Sequence, residues 1–279
     1  MNTNVKRASV NGVELPFLDA GTGTPVVFVH GAISDYRIWD SQISELAHRY
    51  RCIALNQRYF GSEPWQDSGS NFTRATHMQD LIAFLAFLGL GPVHLVGTSY
   101  GAEIAATVAV ARPDLVRSLC LNEPSLTSIV SNPHDLAIMA QERTVLGPAI
   151  EGIKAGPPRR TLELFCDWVN NHPGAFARFP TAIQSMALDN ARTLGLQLMA
   201  APSALSSADL RQLRVLLTLT VGSMTRQFFQ IPARLMHESV EGSRILLIPN
   251  AYHCAPFEDA LSFNAAVVEH IGHSANHAL

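Results

Sequence analysis

A serine between two glycines, Gly97-Thr98-Ser99-Tyr100-Gly101, stands where a β-prone segment, Val93-His94-Leu95-Val96, gives way to the alanine-rich run Ala102 to Ala111. Strand, tight turn and helix in that order leave few folds open. The turn must be sharp, the serine at its apex must take a strained backbone conformation, and the glycines remove the Cβ atoms that would hold strand and helix apart. The pattern predicts a strand over 93–96, a helix over 102–111 stopped at Arg112-Pro113, and a serine hydroxyl at the carboxyl end of that strand.

The flanking sequence alternates in the same way. Short strands are expected at Val5 to Val10 and Val13 to Leu18, joined by an Asn11-Gly12 hairpin turn. After the turn Gly21-Thr22-Gly23, Pro25 to Val29 is a continuous apolar run of the kind buried on both faces. That Gly-x-Gly precedes a strand instead of opening a helix, so it reads as a turn and not as a phosphate loop. A helix at Ile38 to His48, a strand at Cys52 to Leu55 and an amphipathic helix at Thr76 to Leu88 precede the serine turn; a strand at Val116 to Leu121 follows it. From Ser125 to Leu213 strand patterning stops and helical segments take over, broken at Gly147-Pro148, Gly156-Pro157-Pro158 and Pro173-Gly174. Alternation resumes with strands at Arg214 to Val221 and Arg244 to Ile248 and helices at Phe228 to Glu238 and Ala260 to Ile271. The expectation is an α/β protein with a mostly parallel sheet covered on both faces, residues 1–124 and 214–279 forming the core and residues 125–213 an inserted helical block.

The 279 residues, 47% hydrophobic and 15% charged, suit one sizeable globular core. A formal charge of −3 and no basic cluster beyond Arg159-Arg160 argue against nucleic acid. The polar start, Met1 to Val10, lacks the apolar centre of a signal peptide, and the run Leu81 to Val93 is too short and too broken to span a bilayer. Cys52, Cys120, Cys166 and Cys254 are scattered without zinc spacing, as in a cytoplasmic protein with reduced thiols. His270, His273 and His277 read as a frayed end in place of a metal site, and no metal or other cofactor is expected.

Acyl transfer by a serine needs a nucleophile, a base, an acid that orients the base, and donors for the oxyanion. Ser99 can be the nucleophile. Of the 11 histidines, His253 is the best placed as base, because it follows the strand Ile245 to Ile248 through the turn Pro249-Asn250. Loops at the carboxyl ends of strands are where open α/β sheets bind ligands.

His30-Gly31-Ala32, Trp39, the serine pentapeptide and His253-Cys254-Ala255-Pro256-Phe257-Glu258 together resemble the α/β-hydrolase fold family. The resemblance covers nearly all of the chain outside the helical block. It implies an eight-stranded, mostly parallel sheet with helices on both faces and a helical cap over the site. It also implies an oxyanion hole from the amides of Ala32 and Tyr100, with His30 and Gly31 beside it against substrate. Many members carry the acid in a Gly-x-x-Asp turn, where this chain has Gly222-Ser223-Met224-Thr225. Glu123, at the end of the strand after the serine helix, stands in for it, an arrangement that resembles zearalenone lactonases and some haloalkane dehalogenases. A second departure is Asn56-Gln57-Arg58-Tyr59-Phe60-Gly61 in place of Asp-x-Arg-Gly-x-Gly; Tyr59 and Phe60 either shape the site or pack the loop. Asp35 and Arg37 either touch substrate or form a surface pair, and Cys254 is a small neighbour that fits beside the base.

The inserted block is rich in apolar residues such as Phe165, Trp168 and Met186, with Trp168 expected against substrate. The function implied is a serine hydrolase that cleaves a carboxylic ester or lactone of a largely apolar small molecule through an acyl-enzyme. Its catalytic residues are Ser99, His253 and Glu123. A carbon–carbon bond hydrolase, a hydroxynitrile-lyase-type enzyme and a non-catalytic ligand receptor are the alternatives, and a homodimer is left open. Dehalogenases and epoxide hydrolases use an aspartate nucleophile, which Ser99 argues against.

Overall fold

The computed structural model describes residues 5–155 and 158–276, so the Gly156-Pro157 break and His277 lie outside the described residues. Eight strands form one sheet: β1 Lys6–Val10, β2 Val13–Ala20, β3 Pro25–Val29, β4 Arg51–Leu55, β5 Val93–Thr98, β6 Val116–Asn122, β7 Leu216–Gly222 and β8 Arg244–Ile248. Their order is β1-β2-β4-β3-β5-β6-β7-β8. β2 pairs antiparallel with β1 and β4, and every other neighbouring pair is parallel. The central strand β5 is buried along its whole length, which is why its sequence runs apolar without alternation.

Helices cover both faces. Arg74–Leu88 (α2), Tyr100–Ala111 (α3) and Gln227–Ser239 (α9) pack on one side through Leu81, Phe84, Ile104 and Met236. Asp40–Leu46 (α1), Ala255–Glu258 (α10) and Ala260–Asn276 (α11) pack on the other through Ile43, Leu46, Ala255, Phe263 and Val267. Between β6 and β7 come Pro133–Ala155 (α4), Pro158–Val169 (α5), Ala175–Arg178 (α6), Thr181–Met199 (α7) and Ser207–Leu210 (α8). Residues of α4, α5 and α7 form a third apolar cluster that includes Ile33, Phe228 and Phe229. Leu205, Leu210 and Leu213 pack instead into the cluster beneath the sheet.

Two expectations are corrected. Pro148 does not break a helix; it lies inside α4. A proline costs a helix interior about 3 kcal/mol, and the buried neighbours Leu146 and Ala149, packed in the third cluster, offset it. The chain end is not frayed at His270, which is fully buried in α11. Its ring hydrogen-bonds Ser118 Oγ at 2.7 Å and Thr218 Oγ1 at 2.8 Å, which ties α11 to β6 and β7. Among the described residues no cluster of histidine, cysteine or carboxylate side chains could hold a metal ion, and no helix is long and apolar enough to cross a membrane.

The chain runs β3 to β4 toward one edge and β5 to β8 toward the other. Its direction therefore reverses between β3 and β5, and the site gathers at their carboxyl ends.

Candidate active site

Ser99 follows β5 directly with φ 52° and ψ −116°, a conformation that strains any residue with a Cβ. The fold holds it there. Ser99 N–H donates to the Asn122 carbonyl at 2.9 Å, and the Ser99 carbonyl accepts from Glu103 and Ser125 N–H at 3.1 and 3.2 Å. The flanking glycines are required by contact. A Cβ at Gly101 would lie 2.2 Å from the His30 carbonyl oxygen, and one at Gly97 would lie 2.8 Å from Ala102 Cα.

His253 and Glu123 form a buried pair. His253 Nδ1 lies 2.5 Å from Glu123 Oε2, with the two side chains 6% and 0% exposed. A carboxylate can only accept, so Nδ1 carries the proton and Nε2 is left as a base. Glu123 follows β6 at φ 43°, another strained position for a side-chain-bearing residue. Its Oε1 accepts from Gly222 N–H and its Oε2 from Thr225 Oγ1, both at 2.8 Å. The turn that carries an aspartate in many relatives thus supplies two donors to a carboxylate from the neighbouring strand. Phe229, in the first turn of α9, stacks on the imidazole at 3.7 Å between ring centres and 24° between planes. Asn122 completes the frame, donating to Thr98 Oγ1 and the His253 carbonyl and accepting from Thr220 Oγ1.

The loop after β3 presses against the serine turn; a Cβ on Gly31 would lie 3.2 Å from Ser99 Cβ. The Gly31 carbonyl accepts from Ser34 Oγ at 3.1 Å and faces His30 Nδ1 at 2.9 Å. His30 Nε2 accepts from Gln57 N–H at 3.1 Å, so the Nδ1 proton points to Gly31. Burial pushes the His30 pKa down to about 4, which keeps the ring neutral at pH 7. A planar trans peptide points its N–H opposite its carbonyl, so fixing the Gly31 carbonyl also aims the Ala32 N–H. Ile33 follows at φ 45°, unusual for a β-branched residue. Tyr100 begins α3, where the first N–H groups of a helix lack intrahelical acceptors. Its side chain turns into the core, its hydroxyl 2.6 Å from His77 Nδ1.

Ser99, Ala32 and His253 line one cavity of about 400 Å³, roofed by residues of α4, α5 and α7. Gly31 and Trp168 are also on its wall. His30, Tyr59 and Phe60 are not: they form an aromatic cluster behind the loop, with Phe60 4.7 Å from His30 and Tyr59 stacked on Phe72. Asp35 and Arg37 pair with each other and tie α7 down, through Asn190 Nδ2 to Asp35 at 2.7 Å and Arg37 to Asp189 at 2.8 Å. Burial holds the Cys254 thiol well above its usual range, so a neutral thiol sits beside the imidazole. The supporting contacts of Gly222, Thr225 and Phe229 carry no local signal in sequence, because each joins segments far apart in the chain. Only the departure from the common aspartate at Thr225 pointed to that turn.

The cavity thus brings together a hydroxyl, an imidazole held by a carboxylate, and the loop that carries the Ala32 amide. The chain has the α/β-hydrolase fold. Residues 24–146 match the alpha/beta hydrolase fold family. Epoxide hydrolase 2 of Siraitia grosvenorii is 35% identical over 112 residues, 40% of this chain and 35% of that protein. A bromoperoxidase from Bacillus anthracis superposes with a TM-score of 0.78 at 22% identity, covering 96% of this chain and 100% of that one. Carboxylesterase CesB (YbfK) from Bacillus subtilis superposes with a TM-score of 0.77 at 18% identity, covering 97% and 92%. The chain spans about two fifths of the length of the curated relatives it matches.

Proposed function

We propose that the protein is a serine hydrolase that cleaves a carboxylic ester or lactone through an acyl-enzyme. The observation that carries this reading is the buried 2.5 Å contact of Glu123 with His253, which lines the same cavity as Ser99. Ser99 Oγ attacks the carbonyl as His253 Nε2 takes its proton. Glu123 holds the imidazole in the useful tautomer and stabilises the imidazolium. The amides of Ala32 and Tyr100 receive the oxyanion, each worth about 2.7–4 kcal/mol by analogy with deletions of single donors. His253 returns the proton to the leaving alcohol, then activates the water that releases the acid. In this reading the acid lies after β6, as in the zearalenone lactonases, and residues 125–213 act as a cap. The substrate is a small molecule with a substantial apolar part, in keeping with wall residues such as Phe165, Trp168 and Phe179. The serine argues against the aspartate chemistry of epoxide hydrolases.

The test is turnover of a panel of medium-chain esters and lactones by wild type and Ser99→Ala. The expected result is turnover lost with the serine, together with stoichiometric labelling of the wild type, but not the variant, by a serine-reactive phosphonate. Turnover that survives Ser99→Ala would overturn the mechanism.

A further inference from the structure

The cavity wall carries two guanidinium groups, those of Arg74 and Arg143, and among its lining residues there is no aspartate or glutamate. Composition does not explain this, because the chain as a whole has a formal charge of −3. Arg74 begins α2 and is 16% exposed at its side chain. Its Nε donates to Glu103 Oε1 at 2.7 Å and its Nη1 to the carbonyls of Ala200 and Ala201 at 3.3 and 2.8 Å. The guanidinium lies over the Tyr100 ring, 5.3 Å from its centre. It is therefore rigid, and its Nη2 makes no hydrogen bond among the described residues. Ser125, which also lines the cavity, closes the same network by donating to Glu103 Oε2 at 2.8 Å. Through Ser125 N–H and Glu103 N–H, both bonded to the Ser99 carbonyl, the network abuts the nucleophile. Arg143 comes from α4, lines the cavity, is exposed, and has no carboxylate partner among the described residues. Its neighbour Glu142 is taken by Arg226 at 2.8 Å.

A cation that faces a ligand cavity and has no local counter-charge is best matched by an anion on the ligand. Arginine suits that role, since its fork binds carboxylates in two-point contact. We propose that the substrate is an ester or lactone bearing a carboxylate, bound with that carboxylate toward Arg143 and Arg74 while its apolar part lies along Phe165, Trp168 and Phe179. The proposal rests on the hydrolase reading above and narrows its substrate from an apolar molecule to an amphiphilic acid. Arg74, whose charge is shared with Glu103, orients the chain by hydrogen bonding; Arg143 supplies the net charge that selects the acid.

The experiment compares 4-nitrophenyl esters and alkyl esters of matched medium chain length that end in a methyl group or a carboxylate, the carboxylate placed on the acyl part in one series and on the alcohol part in the other. In at least one series the carboxylate-ended ester is expected to have a kcat/KM about tenfold higher, an increment on the scale of one charge-assisted contact. The ratio should shrink with added salt and invert in Arg143→Glu. Equal or better turnover of the methyl-ended esters in both series, with turnover still dependent on Ser99, would overturn the carboxylate proposal and leave the hydrolase reading standing. Should no ester be turned over, binding of a medium-chain dicarboxylic acid and of the matching monocarboxylic acid is measured by calorimetry on wild type and Arg143→Glu. Tighter binding of the dicarboxylic acid, lost in the variant, supports the anion subsite independently of activity. Equal binding of the two acids overturns it.

Discussion

The Glu123 carboxylate has three partners, the imidazole, the Gly222 amide and the Thr225 hydroxyl, and the residue's backbone is strained. Glu123→Gln keeps the volume but offers an amide that can donate to Nδ1 and trap the wrong tautomer. Its kcat for ester hydrolysis should fall by up to ~10⁴-fold, with KM little changed. Thr225→Val removes one donor and leaves Glu123 still bonded to Gly222 and His253. The lost hydrogen bond is worth about 1.5–3 kcal/mol at a charged acceptor, so kcat should fall about 10–150-fold. If the two variants lose activity equally, Thr225 is more than a support for Glu123. Phe229→Leu tests the ring stacked on His253, and a loss of kcat that Phe229→Trp restores would tie the effect to the aromatic face and not to volume. Steady-state kinetics on the four variants separates these contributions.

At the level of elements, Pro25–Val29 was legible because a run buried on both faces is apolar without interruption, and the edge strand Arg244–Ile248, only half-buried, because its apolar run is bounded by turn residues; both fall where the pattern puts them. The serine turn was legible for a different reason, since only glycine fits where α3 crosses β3. Element ends and long-range contacts were not legible. Pro148 continues a helix because of what packs around it, and His270 is anchored by hydroxyls on strands far away in sequence. The same was true of Tyr59 and Phe60, whose aromatic character suits a pocket and a packed cluster equally well. Close approach makes a prediction that opposes helix propensity. Gly to Ala inside a helix normally gains about 1 kcal/mol. At Gly101 the new Cβ would meet two backbone oxygens, at 2.2 and 2.3 Å, which cannot give way as a side chain could. Overpacking of this kind costs about 1–3 kcal/mol or more. Gly272, in α11, has nothing within 4 Å of the same position. Thermal denaturation should therefore show Gly101→Ala melting lower than wild type and Gly272→Ala melting higher. A higher Tm for Gly101→Ala would mean that the helix-to-strand approach is looser than the geometry implies.

Across the described residues, four histidines besides His253 are buried in the neutral form: His30 behind the oxyanion loop, His77 on the Tyr100 hydroxyl, and His94 and His270 sharing Ser118 Oγ. Burial lowers their pKa values to about 4 for His30 and His94 and to about 3 for His77 and His270. An unfolded histidine titrates near 6.5, so below that pH the unfolded chain takes up protons that the folded chain refuses. The stability these groups contribute is complete above pH 6.5 and is lost as the pH falls toward 4 and 3. Each histidine changes the unfolding free energy by about 1.4 kcal/mol per pH unit within its window. Asp19 and Asp35, held below the usual carboxylate range by Arg51 and by Arg37 and Asn190 against the cost of burial, act in the same direction only below about pH 4. Burial raises Glu103 and Glu258, which act in the opposite direction above that point. From pH 6 to pH 5 the histidines should dominate, with an uptake approaching about four protons on unfolding. Calorimetric Tm should therefore fall steeply over that unit while remaining nearly flat from pH 7 to 8. Because His30 and His77 brace the Ala32 and Tyr100 segments, activity should be lost with unfolding in the same range. A Tm that stays level down to pH 5 would mean that the buried rings accept protons where they stand, and that the polar contacts around Ser118 and Gly31 tolerate a charge.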